Sequence, residues 1–138
     1  MATDFSDPAL PAVEAAAAEA RRRKADLTIL HAIDLLPMMG PYYADFFAMP
    51  PMDLGDQMRT IWQARLDECV RRFKAEGGGL LRNGPAAPAI LSAASELPAE
   101  LLVVSTHGRT GLSRVALGSV AEAVVRAAPC SVLIVRFT

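Results

Sequence analysis

The chain is poor in the residues that build metal, redox and disulfide sites. It has two cysteines and two histidines among 138 residues. Cys69 and Cys130 lie far apart and form no Cys-x-x-Cys pair, so the sequence indicates neither a zinc site nor a redox motif. Because no signal-peptide pattern is present either, we expect a cytoplasmic protein with free thiols.

Strong charge and long apolar runs are also lacking. The formal net charge is -1, and the one dense basic stretch, residues 21–24, forms the C-terminal end of a predicted helix, where the helix dipole favours cations. We expect no nucleic-acid partner, because binding a phosphate backbone needs a clustered basic surface. No apolar run is long enough to cross a bilayer, so we expect no membrane partner.

What the chain does have is enough apolar residues, 52 %, for a core in one domain spanning residues 1–138. Helix and strand patterns alternate along it, which predicts an α/β fold with a parallel sheet and helices on both faces. Such sheets bind ligands at the carboxyl ends of their strands. The predicted helices cover about 7–24, 54–76, 86–97 and 119–127, and the predicted strands 25–33, 80–82, 101–105 and 131–137.

Residues 34–53 combine four prolines with many methionines and aromatic residues. Three interpretations remain open for this segment, and especially for residues 37–52. It forms a long loop packed on its own domain, a lid over a ligand, or a surface for a partner.

A glycine-punctuated loop joins the strand at 101–105 to the helix at 119–127. Small residues there allow backbone N–H groups to face an anion closely, and the N-terminus of the helix favours negative charge. Thr106, Arg109 and Ser113 are further candidate donors. The loop is neither a Walker A loop nor a Gly-x-Gly-x-x-Gly motif. From spacing alone, an ordinary strand-to-helix connection competes equally with a phosphate site.

The two histidines have plain structural interpretations. His107 precedes a loop glycine, which favours a structural or hydrogen-bonding role over catalysis, and His31 in a strand is more often packed than titrating. No histidine lies at a useful spacing from a cysteine or carboxylate, so we find no candidate triad or metal site. We do not expect a dedicated enzyme.

Three segments carry a resemblance to a known family. They are Ser105-Thr106-His107-Gly108-Arg109-Thr110-Gly111, Leu117-Gly118-Ser119-Val120 and Ala128-Pro129-Cys130-Ser131. Together they resemble the C-terminal half of universal stress proteins, whose ATP-binding branch carries Gly-x-x-Gly, nine residues and then Gly-Ser or Gly-Thr. Here Gly108 and Gly118-Ser119 match that pattern, and Ser105 replaces the first glycine. The N-terminal Thr3–Ser6 and Leu30–Asp34 also match, so the resemblance covers nearly the whole chain.

The resemblance implies an adenine-nucleotide site that binds ATP, with Mg²⁺ as a candidate companion ion. By position, it places Thr3, Asp4 and Ala32 at the adenine. It places the ribose and phosphates along Val104, Ser105, Thr106, His107, Gly108, Arg109 and Thr110, and along Gly118, Ser119 and Val120. Members without the glycines generally lack ATP binding, so these glycines favour a nucleotide binder.

The resemblance also implies a Rossmann-like open sheet with strand order 3-2-1-4-5 and a homodimer that pairs the last strand, here Ser131–Phe137. The implied function is a regulatory, ATP-binding stress protein. Two alternatives are a dimeric scaffold of the same fold that binds no nucleotide and a slow ATPase.

Two strands depart from the family pattern. The first, central strand is nearly absent, because only Met1-Ala2 precedes Thr3-Asp4, and the third is shortened to Leu80–Arg82. Loss of a central strand exposes unpaired backbone groups and apolar surface. We therefore expect a gap in the sheet, low stability and Asp4 on a frayed terminus, and we hypothesise that apolar residues precede Met1 in the natural protein.

Overall fold

The computed structural model describes residues 1–34, 54–106 and 117–136, and within them strands and helices alternate as the sequence predicts. A 3-10 turn at Asp7–Ala9 leads into the first helix. The helices are α1 (Leu10–Arg23), α2 (Leu54–Phe73), α3 (Ala86–Glu96) and α4 (Ser119–Ala127). The strands are β1 (Ile29–Ile33), β2 (Gly79–Asn83), β3 (Leu101–Ser105) and β4 (Ser131–Val135).

The strands pair in parallel, β1 with β2 and β3 with β4. Residues 1–3 lie between the two pairs. The Thr3 N–H donates to the Leu30 carbonyl at 2.9 Å, and on the other side the Ala2 N–H donates to the Val103 carbonyl at 3.1 Å. The expected order places the first strand, here residues 1–3, between β1 and β3, and each of these two hydrogen bonds joins such a pair of neighbours. As predicted, the first strand is reduced, to one bridge between Ala2 and Leu30.

Both faces of the sheet are covered, as a parallel sheet requires. On one face, α1 and α2 bury Val13 and Leu66 against Ile29. On the other, α3 and α4 bury Ile90 and Val124 against the next strand residue along, Leu30. The central segment alternates in the same way: Met1 packs on the first face and Ala2 on the second.

The prediction of a strand over residues 25–33 is wrong at its start, because β1 begins only at Ile29. Residues 25–28 lie beside an open space on the amino side of Met1, and none of the described strands lies on that side of them. Without a ladder partner on that side, this stretch is not a regular strand.

The prediction that the third strand is shortened is also wrong. β2 has five residues, as many as the other strands, and pairs along its whole length with β1. Gly79 is its first residue. A Cβ there would lie 2.7 Å from the Leu66 Cγ, so the glycine lets α2 pack directly against the strand.

The remaining boundaries differ by a few residues. α2 ends at Phe73, before the left-handed Lys74, and β4 ends at Val135. Residues 35–53 and Phe137 fall outside the described residues. Both cysteines are free thiols, and burial raises the pKa of the Cys69 thiol. Of the helices described, none is long and apolar enough to cross a membrane.

Candidate functional site

The predicted site residues gather at one edge of the sheet. Residues 1–3, β1 and β3 run parallel, so their carboxyl ends meet at the same edge. Asp4 follows the first of these, Ala32 lies near the end of the second, and Ser105 ends the third. The fold therefore brings the predicted adenine and phosphate segments to neighbouring positions.

A tight turn holds Asp4. The Thr3 hydroxyl accepts a hydrogen bond from the Phe5 N–H at 3.0 Å. The Asp4 Oδ1 accepts from the Ser6 N–H at 3.0 Å and from the Ser6 hydroxyl at 2.6 Å. Asp4 is therefore fixed within a hydrogen-bonded turn, and the expected frayed terminus is wrong.

An aromatic cluster supports this turn from the α1/α2 face. The Phe5 and Trp62 rings stack at 5.8 Å, and the His31 ring lies 4.5 Å from Trp62. The Arg65 guanidinium lies 5.4 Å from the Trp62 ring centroid. Phe5 has a φ of 59°, a conformation that costs free energy in a non-glycine residue and recurs at functional sites.

His31 ties the cluster to the central segment. It is buried, and its Nδ1 lies 2.8 Å from the Thr3 carbonyl oxygen. Because a carbonyl only accepts hydrogen bonds, Nδ1 carries the proton in this contact. His31 thus holds the residue next to Asp4, which agrees with the packed interpretation of this histidine.

On the opposite face, Ala32 packs against the cluster that contains Val104 and Ala121. Ala121 belongs to the first turn of α4. The predicted adenine residue therefore shares a hydrophobic layer with the strand and the helix assigned to the ribose and phosphates.

The start of α4 is tied to the end of β3. The Gly118 N–H donates to the Thr106 carbonyl at 2.8 Å, and the Thr106 N–H donates to the Val135 carbonyl at 3.0 Å. The Gly118 N–H is therefore occupied by a hydrogen bond within the protein. The N–H groups of Ser119 and Val120 have no acceptor within the helix, since they lie in its first turn. Both residues are exposed, so a bound anion would meet these two groups.

His107, Gly108, Arg109 and Thr110 lie outside the described residues. Sequence reasoning missed the aromatic cluster, because Trp62 fits a helical pattern of buried residues and Phe5 stands alone. The signal that could have found it is the position of Phe5 directly after Thr3-Asp4. Among residues 1–34, 54–106 and 117–136, no three His, Cys, Asp or Glu side chains are grouped to hold a metal.

Together these features define a class: an α/β protein with an open parallel arrangement of strands and a candidate ligand site at their carboxyl ends. The universal stress protein family model matches residues 1–136, so the chain belongs to the universal stress protein family. A relative from Thermus aquaticus, the universal stress protein in the QAH/OAS sulfhydrylase 3′ region, is 33 % identical over 138 residues, covering 99 % of this chain and 96 % of the relative.

Two solved structures share the fold across the chain. Universal stress protein UspA from Lactobacillus plantarum is 28 % identical with a TM-score of 0.68, covering 98 % of this chain and 94 % of that one. A universal stress protein in complex with cAMP is 30 % identical with a TM-score of 0.66, covering 100 % of this chain and 94 % of that one.

Proposed function

We propose that this protein binds an adenine nucleotide, ATP in the first place, at the carboxyl edge of the sheet and acts as a regulatory, cytoplasmic stress protein. The observation that supports it most is the hydrogen bond between Gly118 and Thr106. This hydrogen bond sets the N-terminus of α4 beside the end of β3, at the same edge of the sheet as Ala32 and Asp4. The similar universal stress protein in complex with cAMP supports an adenine ligand.

Each residue of the proposed site would make a different kind of contact with the nucleotide. Asp4 offers carboxylate oxygens, which accept hydrogen bonds from an exocyclic amine such as that of adenine. Ala32 offers a small apolar surface for the ring. Ser119 and Val120 offer backbone N–H groups, and the α4 dipole adds partial positive charge where phosphates would sit.

The site suits a nucleotide that carries its own metal. No metal-ligating group is assembled among the described residues, and Mg²⁺ is usually held by substrate phosphates and water with one or two carboxylates. Mg²⁺ would therefore enter with ATP.

Isothermal titration with ATP and with cAMP tests the proposal, using Gly118→Val as the site variant. Gly118 has a φ of -63° and a ψ of 151°, which valine adopts without strain, so the substitution acts through side-chain volume. We expect ATP affinity to fall at least about 100-fold, roughly 3 kcal/mol. Gly55→Val is the matched control, because a Cβ at Gly55 meets nothing within 4 Å.

Unchanged ATP affinity in a folded Gly118→Val protein would contradict the site. Absence of any nucleotide, both in titration and after acid release from purified protein, would favour the dimeric scaffold instead. Phosphate release that the same variant abolishes would favour the slow ATPase.

We also propose a homodimer through β4. The Val135 carbonyl faces β3, so backbone alternation turns the N–H of Ile134 to the outer edge. Among the described strands, β4 pairs only with β3. An apolar edge of this kind invites pairing with a second copy, most often about a two-fold axis.

Light scattering on Ile134→Pro tests the dimer, since proline removes the outward donor while leaving the β3 ladder. We expect a monomer for Ile134→Pro and a dimer for Ile134→Ala, which keeps the donor. A monomeric wild type at micromolar concentration would refute this assembly.

A further inference from the structure

His31 is linked to Asp4 through a single peptide plane. The Thr3 N–H donates to the Leu30 carbonyl at 2.9 Å, and the Thr3 carbonyl accepts from the His31 Nδ1 at 2.8 Å. Because a peptide unit is planar, the Thr3 carbonyl oxygen and the Asp4 Cα cannot turn independently of each other. The hydrogen bond from His31 therefore sets the direction in which the chain leaves the sheet at Asp4.

The imidazole that makes this bond is itself fixed by aromatic packing. Its ring centroid lies 4.8 Å from that of Phe5 and 4.5 Å from that of Trp62. His31 is 4 % exposed and Trp62 is 8 % exposed, so neither ring has room to reorient in a close-packed interior. A side chain locked in this way holds its hydrogen-bond partner in one geometry.

The Asp4 carboxylate at the other end of the link is oriented as well. Its Oδ1 accepts from both the N–H and the hydroxyl of Ser6, and the Thr3 hydroxyl accepts from the Phe5 N–H. The left-handed Phe5, with a φ of 59°, closes this turn and stacks its ring on Trp62. An oriented carboxylate accepts hydrogen bonds along set directions, so it distinguishes ligand groups that donate from groups that accept.

We propose that His31 is a positioning residue through which this site selects 6-aminopurine nucleotides over 6-oxopurine nucleotides. This role rests on the proposed function, in which Asp4 meets the exocyclic amine of adenine. That amine donates to a carboxylate, whereas the oxygen at the same place in hypoxanthine only accepts. A site built around a ligand donor strongly rejects the analogue that lacks it, and a carboxylate free to turn away would lose this selectivity.

Isothermal titration of the whole chain with ATP and with ITP measures the selectivity, since the two nucleotides share their ribose and phosphates. We expect the wild type to bind ATP at least about 100-fold more tightly than ITP. His31→Leu removes the donor at similar volume and should reduce this ratio to about fivefold or less. His31→Asn carries a side-chain N–H close to the place of Nδ1 and should recover most of the ratio.

Three further variants separate positioning from stability. In an Asp4→Ala background, His31→Leu should leave the ratio unchanged, because the group that His31 positions is gone. Thr3→Val keeps the shape of Thr3 but loses the hydroxyl that accepts from Phe5, so it should also lower the ratio and serves if His31→Leu does not fold. Leu27→Ala removes a buried side chain just before β1, at the amino end of that strand, and should lower Tm without changing the ratio.

The outcomes distinguish this role from the proposed function. A wild type that binds neither nucleotide would overturn the proposed function and the role of His31 with it. Equal affinity of the wild type for ATP and ITP would overturn the positioning role alone. So would a ratio that neither His31→Leu nor Thr3→Val changes, because a purely structural role weakens both nucleotides alike.

Discussion

The two edges of the sheet at residues 1–3 differ sharply in how they are completed. At the carboxyl edge, the turn around Asp4, the His31 contact and the stacked Phe5 and Trp62 rings fill the space with bonded or packed groups. At the amino edge, the same segment ends beside an open space lined in part by Leu97, which is 49 % exposed. Residues 1–3 thus make ladder contacts to both neighbouring strands, and the turn that follows them is the better packed of the two edges.

The difference shows which contacts a central strand needs for each task. Among the described residues, the ladder contacts of residues 1–3 and the aromatic cluster on one face position the candidate ligand edge. The open space on the amino side of Met1 leaves part of the core unfilled. Ligand geometry and overall stability therefore depend on different parts of this segment.

We expect the largest change in stability when an aromatic ring is removed from the carboxyl edge. Trp62→Ala should lower the free energy of unfolding by about 3–5 kcal/mol, because Trp62 is only 8 % exposed and its loss leaves a cavity beside His31. Leu97→Ala at the amino edge should cost less than about 1 kcal/mol, since half of that side chain is already exposed. Urea denaturation measures both.

Trp62→Phe is the control for the aromatic variant, since it keeps a ring against Phe5 and should recover most of the loss. Equal destabilisation by Trp62→Ala and Leu97→Ala would show that the two edges are packed alike.

A smaller effect should appear when the buried Met1 amine titrates. Its pKa is about 6 in the folded state and 8.0 as a free group, so between these values the unfolded chain binds more protons. Stability should then be highest above pH 8 and fall as the pH is lowered to 6, by about 3 kcal/mol in total. Thermal unfolding at a series of pH values measures it.

N-terminally acetylated protein is the reference, since it lacks this titration and shares every other one. The difference between the two proteins isolates the amine. If both lose the same stability between pH 8 and 6, the amine is solvated and the amino edge is more open to water than the structure indicates.

Patterns local in sequence predicted much of the fold. The bounds of β3 and α4 agree with the prediction, because the Leu101–Ser105 run is apolar and Gly118-Ser119 opens a helix. The features that were predicted wrongly depend on contacts between residues that are distant in sequence. Leu66 packs directly on Gly79 within its strand, and residues 25–28 miss strand geometry because no described strand lies beside them on the amino side of Met1. Neither fact is visible in the residues themselves.

The candidate site divides in the same way. Asp4, Ala32 and Gly118 could be assigned by resemblance, and the topology brings their segments to one edge. The aromatic cluster could not, because it joins residues 5, 31 and 62 through the tertiary fold. The hydrogen bond that the Gly118 N–H donates to the Thr106 carbonyl likewise depends on how the start of α4 packs beside the end of β3.

The hydrogen bond from Gly118 to Thr106 also has an entropic consequence. It fixes both ends of the connection between β3 and α4 before any ligand arrives. Bringing Thr106 and the start of α4 together costs conformational entropy, and folding has already met that cost. A nucleotide bound at the start of α4, as we propose, would then lose less of its binding free energy to ordering these two residues.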